Sequence, residues 1–514
     1  MDILNGFAYL FSNPTALGFV VLAAFVGVIV GAIPGLTAAA AIAMLVPVTF
    51  YLDPLSALAF LYVIGKSGRF GGSISAILFN TPGTAASAAT LSDGYPMTRA
   101  GKTGKALKVA TIASVIGDTV GELILIFGAV AIASVTEAFG PPEYFAVYMM
   151  AFIVISSVTG NSIIKGLLAT VLGFLVAMIG IDPISSEPRL DFGVLEFQSG
   201  LALIPLLLGI FVLSELAIQI ESARKQQTHQ KNAPSDDPDA ARFTMPEFIR
   251  CLPVMLRLSL IGSVIGILPG LGSAVAGFAA YGEEKRRSKN PEKWGTGIVE
   301  GIAAPESANN AVSGPTMIPL LALGVPGSTI AAILIGVFLI HGIPVGPSIF
   351  DTSRELIFGL FAAGLLGIAL YGVIGYFGSP LVGRVIAMVP PRLIYPYIFL
   401  TCIISAYSAR TNIFDIMIMC AAGLLGYLMR KHDFSPAAFI IAFVLAPGAE
   451  EAFRQSLLLS NSGWLIFFQR PWAIAFLAIA VLISGQRIWK KLQAARLSPA
   501  RQSTTDTPID ELAE

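Results

Sequence analysis

Charge is what this sequence has least of. Asp, Glu, Lys and Arg make up 12% of its 514 residues, about half the share found in soluble domains, and no Lys or Arg precedes Lys66. That scarcity argues against a soluble domain, and the first stretch lacks the basic region of a cleaved signal peptide. The net charge of zero says nothing about partners, because here the placement of charges matters more than their sum. Cysteine is nearly missing. Cys251, Cys402 and Cys420 are odd in number and show no ligand spacing, so neither a disulfide framework nor a thiolate metal centre is indicated. The three histidines (His229, His341, His432) form no metalloprotease motif. Nucleotide fingerprints fail as well. Gly65-Lys66-Ser67 has Phe60 where a phosphate loop needs glycine, Gly101-Lys102-Thr103 has Pro96 there, and Gly270-x-Gly272 is followed by Val275 rather than a third glycine. No catalytic residues, metal site, cofactor or nucleic-acid partner are expected. With no energy source in the chain, uphill work needs an ion gradient or a partner.

What the chain has instead is apolar sequence, 55% of it, in recurring runs of roughly 20 residues, the length that crosses a bilayer. The expected fold is an all-α polytopic membrane protein with roughly 11–14 membrane segments. A hydrophobic pair spans 15–33 and 36–51, hinged at Pro34-Gly35, and a weaker stretch at 55–65 leads into an expected re-entrant hairpin over 70–92, broken at Pro82-Gly83. Spans follow near 108–136, 144–159, 163–181 and 200–220, then after the second repeat near 355–378, 394–409, 413–429, 436–447 and 470–485. These runs divide the chain into a first repeat core (1–105), linking helices (106–221), a polar linker (222–250), a second repeat core (251–355), C-terminal helices (356–485) and a polar tail (486–514) expected to be disordered.

The repeats are visible as text. Residues 27–36, GVIVGAIPGL, match residues 262–271, GSVIGILPGL, with Gly27/Gly262, Gly31/Gly266, Pro34/Pro269, Gly35/Gly270 and Leu36/Leu271 identical. Downstream, Asn80-Thr81-Pro82-Gly83-Thr84 answers Gly324-Val325-Pro326-Gly327-Ser328, and Gly94-Tyr95-Pro96 answers Gly342-Ile343-Pro344. Three such matches in one order make chance a poor explanation. Basic residues then orient the halves. In the first repeat the early loop at Asp53 is neutral and the late one carries Arg99, Lys102, Lys105 and Lys108. In the second the early loop carries Lys285, Arg286, Arg287, Lys289 and Lys293, and the late one only Arg354. Corresponding loops therefore lie on opposite sides. The repeats are expected to be inverted, with the N-terminus periplasmic and the C-terminus cytoplasmic.

Inverted repeats with broken helices at the midplane are a transporter plan, and a broken backbone at that depth must be buried or line a cavity. A helix starting at Ser328, and another after Gly83, would present free N–H groups and partial positive charge suited to a carboxylate. The candidate substrate site comprises Ser73, Asn80, Thr81, Pro82, Gly83, Thr84, Asn309, Asn310, Pro326, Gly327, Ser328 and Thr329, with Lys66 and Arg69 just before the first hairpin. The bland alternative is that Pro-Gly merely kinks closely packed helices. For the Gly27/Gly31 and Gly262/Gly266 pairs, packing is the expected role. Asp118 and Glu122 share a helix face and either bind a cation or pair with Lys66 or Arg69. The candidate coupling-ion residues are Asn80, Asn309, Asn310, Asp118, Glu122 and Glu306. Lys165 and Glu215, near the ends of spans, can snorkel.

The segments FGGSISAILFNTPGTAASAATLSDGYP (70–96), GILPGLGSAVAGFAAYGEEKRRSK (266–289) and EGIAAPESANNAVSGPTMIPLLALGVPGST (300–329) resemble the large membrane subunit of the bacterial tripartite tricarboxylate transporters, over most of the chain. The resemblance implies sodium- or proton-coupled uptake of a carboxylate at the inner membrane. It also implies two protein partners, a small four-span membrane subunit and a periplasmic binding protein. The chain departs from the pattern that the resemblance leads one to expect at Lys66 and Arg69 (small or neutral residues), Asp118 (glycine) and Ser307 (alanine). The alternative functions are a passive organic-anion channel, which needs a continuous polar pore, and an intramembrane enzyme, for which the motifs are missing. The inverted topology is tested by a single cysteine at Ser288 in a cysteine-free background. It should resist impermeant thiol reagents added outside intact cells, and external labelling would overturn the arrangement.

Overall fold

Three helices start with one device. Asn13, Asp53 and Ser435 each accept a backbone N–H from three residues on (Ala16, Ser56 and Ala438), and Pro14, Pro54 and Pro436 follow them at the first helical position, where a missing N–H costs nothing. The computed structural model describes residues 2–33, 36–158, 162–182, 185–225, 242–388 and 391–497. The Pro34-Gly35 hinge, residues 226–241 of the linker and residues 498–514 of the tail lie outside the described residues. Within them the chain is helical nearly throughout, apart from a two-residue antiparallel pair, Gly180–Ile181 with Pro188–Arg189. Among the described residues seven helices are long and apolar enough to cross a membrane, and five more are apolar but shorter. The chain is an all-α polytopic membrane protein.

The first repeat runs Pro14–Ala32, Ala38–Leu45, Pro54–Phe79 and Ser87–Arg99. The second runs Met245–Ile267, Gly272–Arg287, Glu300–Ala311, Met317–Leu323 and Thr329–Ile340. A long helix follows each, Thr103–Thr136 and Arg354–Met388. Equivalent glycines make equivalent crossings. A Cβ added to Gly27 would lie 2.9 Å from the carbonyl oxygen of Ile64, and one on Gly31 would lie 2.1 Å from that of Gly68. On Gly262 and Gly266 it would lie 2.3 Å from the oxygen of Ala308 and 3.0 Å from that of Val312. Ile64 and Ala308, like Gly68 and Val312, stand at the offset that relates Asn80 to Gly324. The packing role expected of these four glycines is what the contacts show.

The breaks repeat as well. Asn80 (φ 54°) and Gly324 (φ 71°) end their helices in the left-handed region, which asparagine and glycine tolerate. The chain then folds back along its own helix. The Gly83 N–H donates to the Gly72 carbonyl at 3.3 Å and the Val325 N–H to that of Pro319 at 3.1 Å. Gly83 approaches Gly72, and Gly327 approaches Thr316, again a corresponding pair.

Several boundaries differ from the sequence reading. The arm expected to begin at residue 70 is one helix from Pro54 to Phe79, so Lys66 and Arg69 stand inside the hairpin and not before it. The second arm starts only at Ser87, because Thr84 and Ser87 cap each other: each side-chain oxygen accepts the other's N–H, at 3.1 and 3.2 Å. The 36–51 span is a short helix continued by a 3-10 turn over Val46–Tyr51. The 436–447 span continues past Pro447 to Leu458.

Two ion pairs and a hydrogen bond tie loop ends together. Arg354 meets Asp2 at 2.8 Å and Asn13 meets Asp53 at 3.1 Å, while Lys105 pairs with Glu247. The crossings carry a test. Valine at Gly31 or Gly262 forces overpacking that costs about 1–3 kcal/mol, so each variant should melt earlier or aggregate on detergent size exclusion. Gly18→Val on the same first helix, where an added Cβ meets nothing within 4 Å, should behave as the parent.

Candidate functional site

Helical spacing alone builds the centre of the molecule. Tyr62, Lys66 and Ser73 share a face of the Pro54–Phe79 helix. Ser114, Asp118 and Glu122 share one of Thr103–Thr136, and Glu306 and Asn310 share one of Glu300–Ala311. These faces meet. The Lys66 ammonium lies 2.6 Å from Asp118 Oδ1 and 2.8 Å from Glu122 Oε2, and all three side chains are fully buried. It also sits 4.8 Å from the centre of the Tyr62 ring. The Tyr62 hydroxyl donates to Glu122 Oε2 at 2.7 Å. Tyr371, stacked on Phe70, brings its hydroxyl to 3.2 Å from Asp118 Oδ2. A charge at this depth is tolerable only when paired and hydrogen-bonded. Asp118 and Glu122, for which the sequence left two roles open, both pair with Lys66. Arg69 is also buried, with Nη1 unpartnered among the described residues.

Beside this cluster lies a carboxylate held differently. Glu306 Oε1 accepts O–H donors from Ser73 (2.5 Å) and Thr90. Its Oε2 accepts from Ser114 at 2.9 Å and faces the Asn310 amide nitrogen at 3.3 Å. Asn310 Nδ2 also donates to Ser114 Oγ at 2.9 Å. Among the described residues no Lys, Arg or His pairs with Glu306. The next residue along the helix from this cluster, Asn309, is 1% exposed, and neither atom of its amide has a partner among the described residues.

The break residues fall into two groups. Gly83, Pro326 and Gly327 are buried, whereas Thr81, Pro82, Thr84, Ser328 and Thr329 are half-buried and Asn80 is exposed. Their hydroxyls are largely spoken for by local backbone: Thr81 donates to the Phe79 carbonyl at 3.1 Å, and Ser328 accepts the Ala331 N–H at 3.2 Å as the cap of Thr329–Ile340. The structure thus joins Lys66, Asp118 and Glu122 in one cluster and Ser73, Glu306 and Asn310 in its neighbour.

The sequence reading missed Tyr62, Thr90, Ser114 and Tyr371. Tyr62 precedes Lys66, and Ser114 precedes Asp118, by the same four-residue step, a signal that was available. It also missed Asp93, which accepts the backbone N–H groups of Gly295, Gly297 and Ile298 and the Tyr281 hydroxyl. Nothing local marks that partnership.

Two repeats of fold-back hairpins closing around a buried polar centre define a polytopic helical protein of the transporter kind. Residues 17–441 match the family described as "Tripartite tricarboxylate transporter TctA family", and the chain belongs to it. The family is one of transporters. Among its relatives is a 52.8 kDa protein of the TAR-I ttuC' 3' region of Agrobacterium vitis, described as uncharacterized. It is 33% identical over 486 residues, 94% of this chain and 95% of that one. A second, from the TAR-II ttuC' 3' region of the same organism and likewise described, is 36% identical over 223 residues, 43% of this chain and 91% of the relative.

Removing Lys66 leaves two buried carboxylates uncompensated, a loss of about 3–5 kcal/mol. Lys66→Met should therefore sharply lower the melting temperature of the purified protein. The triple variant Lys66→Met, Asp118→Asn, Glu122→Gln, with no charge left to compensate, should recover most of it. Equal melting of all three proteins would show that the pair contributes nothing.

Proposed function

We propose that this chain is the large permease subunit of a binding-protein-dependent symporter of the bacterial inner membrane, importing a di- or tricarboxylate or related organic anion on a sodium or proton gradient. Its partners in this reading are a small four-span membrane subunit and a periplasmic protein that delivers substrate, as the word tripartite in the family's description suggests. The N-terminus is then periplasmic and the C-terminus cytoplasmic.

The observation that carries the reading is Asn309. A buried amide with neither atom paired is costly, and it is best accounted for by a polar ligand that completes it. Its surroundings suit an anion. Pro305, one turn earlier, lies with Ala86 beside Gly277, which brings the start of the Ser87–Arg99 helix near. The Thr329–Ile340 helix begins at the other break. Two helix N-termini offer together about one positive charge, against two or three negative charges on the substrate. Lys66 is already neutralised by Asp118 and Glu122, so the extra positive charge falls to Arg69 and to co-transported cations.

A passive channel would conduct without a binding protein or gradient, which a flux assay in proteoliposomes separates from symport. In the reconstituted complex with its binding protein, Asn309→Ala removes hydrogen bonds to a charged ligand worth about 1.5–3 kcal/mol, so uptake should fall about ten- to hundredfold while the protein remains monodisperse. Arg69→Gln should weaken apparent affinity for a tricarboxylate more than for a monocarboxylate. Undiminished uptake by Asn309→Ala would remove the site from this position.

A further inference from the structure

The two repeats place different groups at equivalent positions. At the offset that relates Asn80 to Gly324, Tyr62 corresponds to Glu306 and Lys66 to Asn310. Where the first repeat supplies its own ammonium to the carboxylates of Thr103–Thr136, the second supplies a carboxylate and, four residues on, a neutral amide. Lys66 pairs with Asp118 and Glu122, and of the buried carboxylates Asp118, Glu122 and Glu306 the last is the one without a cation partner among the described residues.

Its neighbours are three hydroxyl oxygens from three other helices, Ser73 Oγ from Pro54–Phe79, Thr90 Oγ1 from Ser87–Arg99 and Ser114 Oγ from Thr103–Thr136, and the Asn310 amide nitrogen from its own helix. Asn310 Oδ1 is buried and unpartnered among the described residues, although the other end of the same amide touches the cluster. Asn310 Nδ2 also donates to the Glu306 backbone carbonyl at 3.0 Å, which fixes that end of the amide as nitrogen. We propose that Glu306, Ser73, Thr90 and Ser114, steadied by Asn310, form the binding site of one exchangeable Na+, the counterpart of the site that Lys66 fills covalently in the first repeat. This rests on the reading of the chain as a cation-coupled permease and gives that coupling a place.

The donor set selects the ion. Hydroxyl and carboxylate oxygens are hard ligands, suited to hard cations and not to thiophilic or imidazole-seeking metals. A single carboxylate matches a single charge, whereas sites for Ca2+ usually gather several. Among the described residues no three His, Cys, Asp or Glu side chains come together as metal ligands. With Na+ bound, the three hydroxyls rotate their protons outward and turn lone pairs toward the ion.

The test uses the purified full-length chain in nanodiscs, without substrate or partners, titrated with Na+ against choline at constant ionic strength. Saturable 22Na+ binding at roughly one ion per chain is expected, with a melting temperature that climbs with Na+ concentration as linkage requires. Glu306→Gln should abolish both responses. Ser114→Ala and Thr90→Val, which keep the carboxylate, should weaken Na+ binding about fivefold or more each, and they decide the matter if Glu306→Gln does not fold. Lys66→Ala, by vacating the equivalent position, should raise binding to roughly two ions per chain. Unaltered 22Na+ binding in the Glu306, Ser114 and Thr90 variants would overturn the site, as would stabilisation of the parent by acid and not by Na+. Because no carboxylate substrate is present in this test, failure of the uptake reading leaves these outcomes unmoved, and their failure leaves the uptake reading standing.

Discussion

A charge at the centre of a membrane protein must carry its solvent with it, and the Lys66 cluster does so. The ammonium is held by two carboxylates at 2.6 and 2.8 Å, the carboxylates are held by Tyr371 and Tyr62, and Tyr62 lends Lys66 its ring face. Every one of these groups sits on a helix whose position is fixed elsewhere by backbone-close crossings. Gly31 on Gly68, Gly117 on Ser307 and Gly121 on Ala311 bring helices so near that a methyl group would collide with a carbonyl. The packing in turn demands the network. Helices pressed this closely leave no water to solvate an unpaired side chain, so each polar residue must find its partner on the neighbouring helix.

The same constraint explains why the hairpins fold back rather than simply turn. Once a helix ends at membrane depth its last carbonyls and the next helix's first N–H groups need partners. Asn80 and Gly324 reverse the chain in the left-handed region, and the returning strand of each hairpin bonds to its own preceding helix. Thr84, Ser87 and Ser328 then cap the helices that follow. Much of the polar character of these loops is therefore consumed by the backbone. That leaves the amide of Asn309 and the Oδ1 of Asn310, rather than the loop hydroxyls, as the groups near the centre without partners among the described residues.

Much of this was legible in the sequence, for physical reasons. Span-length apolar runs report the bilayer, Pro-Gly reports the breaks, and small residues four apart report helix contact, so membrane class, repeats and glycine crossings could be read directly. Two kinds of information could not. Lys66 and Arg69 read as the approach to a hairpin because polar glycine-rich sequence looks like a loop. Burial on all sides let the helix Pro54–Phe79 run straight through it, a case of tertiary packing overriding local propensity. Partnerships across the repeats were hidden as well. Glu306 reaches Ser73 and Thr90, and Asp93 reaches the 295–298 backbone, over about 200 residues of chain, which no local period encodes. The tyrosines were within reach, since Tyr62 stands one helical turn from Lys66 and the i, i+4 rule that linked Asp118 to Glu122 applies to it equally.

Two of the departures from the pattern expected of the resemblance, Lys66 and Asp118, turn out to be one feature. Asp118 alone would place a third buried carboxylate beside Glu122 and Glu306 with no cation to answer it. Lys66 alone would find only Glu122. Together they form a pair whose members each meet a second partner, so neither substitution is neutral without the other and the two behave as a unit. Arg69 does not belong to that unit. It stands three residues on from Lys66, buried, with Nη1 unpartnered among the described residues. That difference in pairing, and not the sign the two side chains share, sets the two buried cations apart.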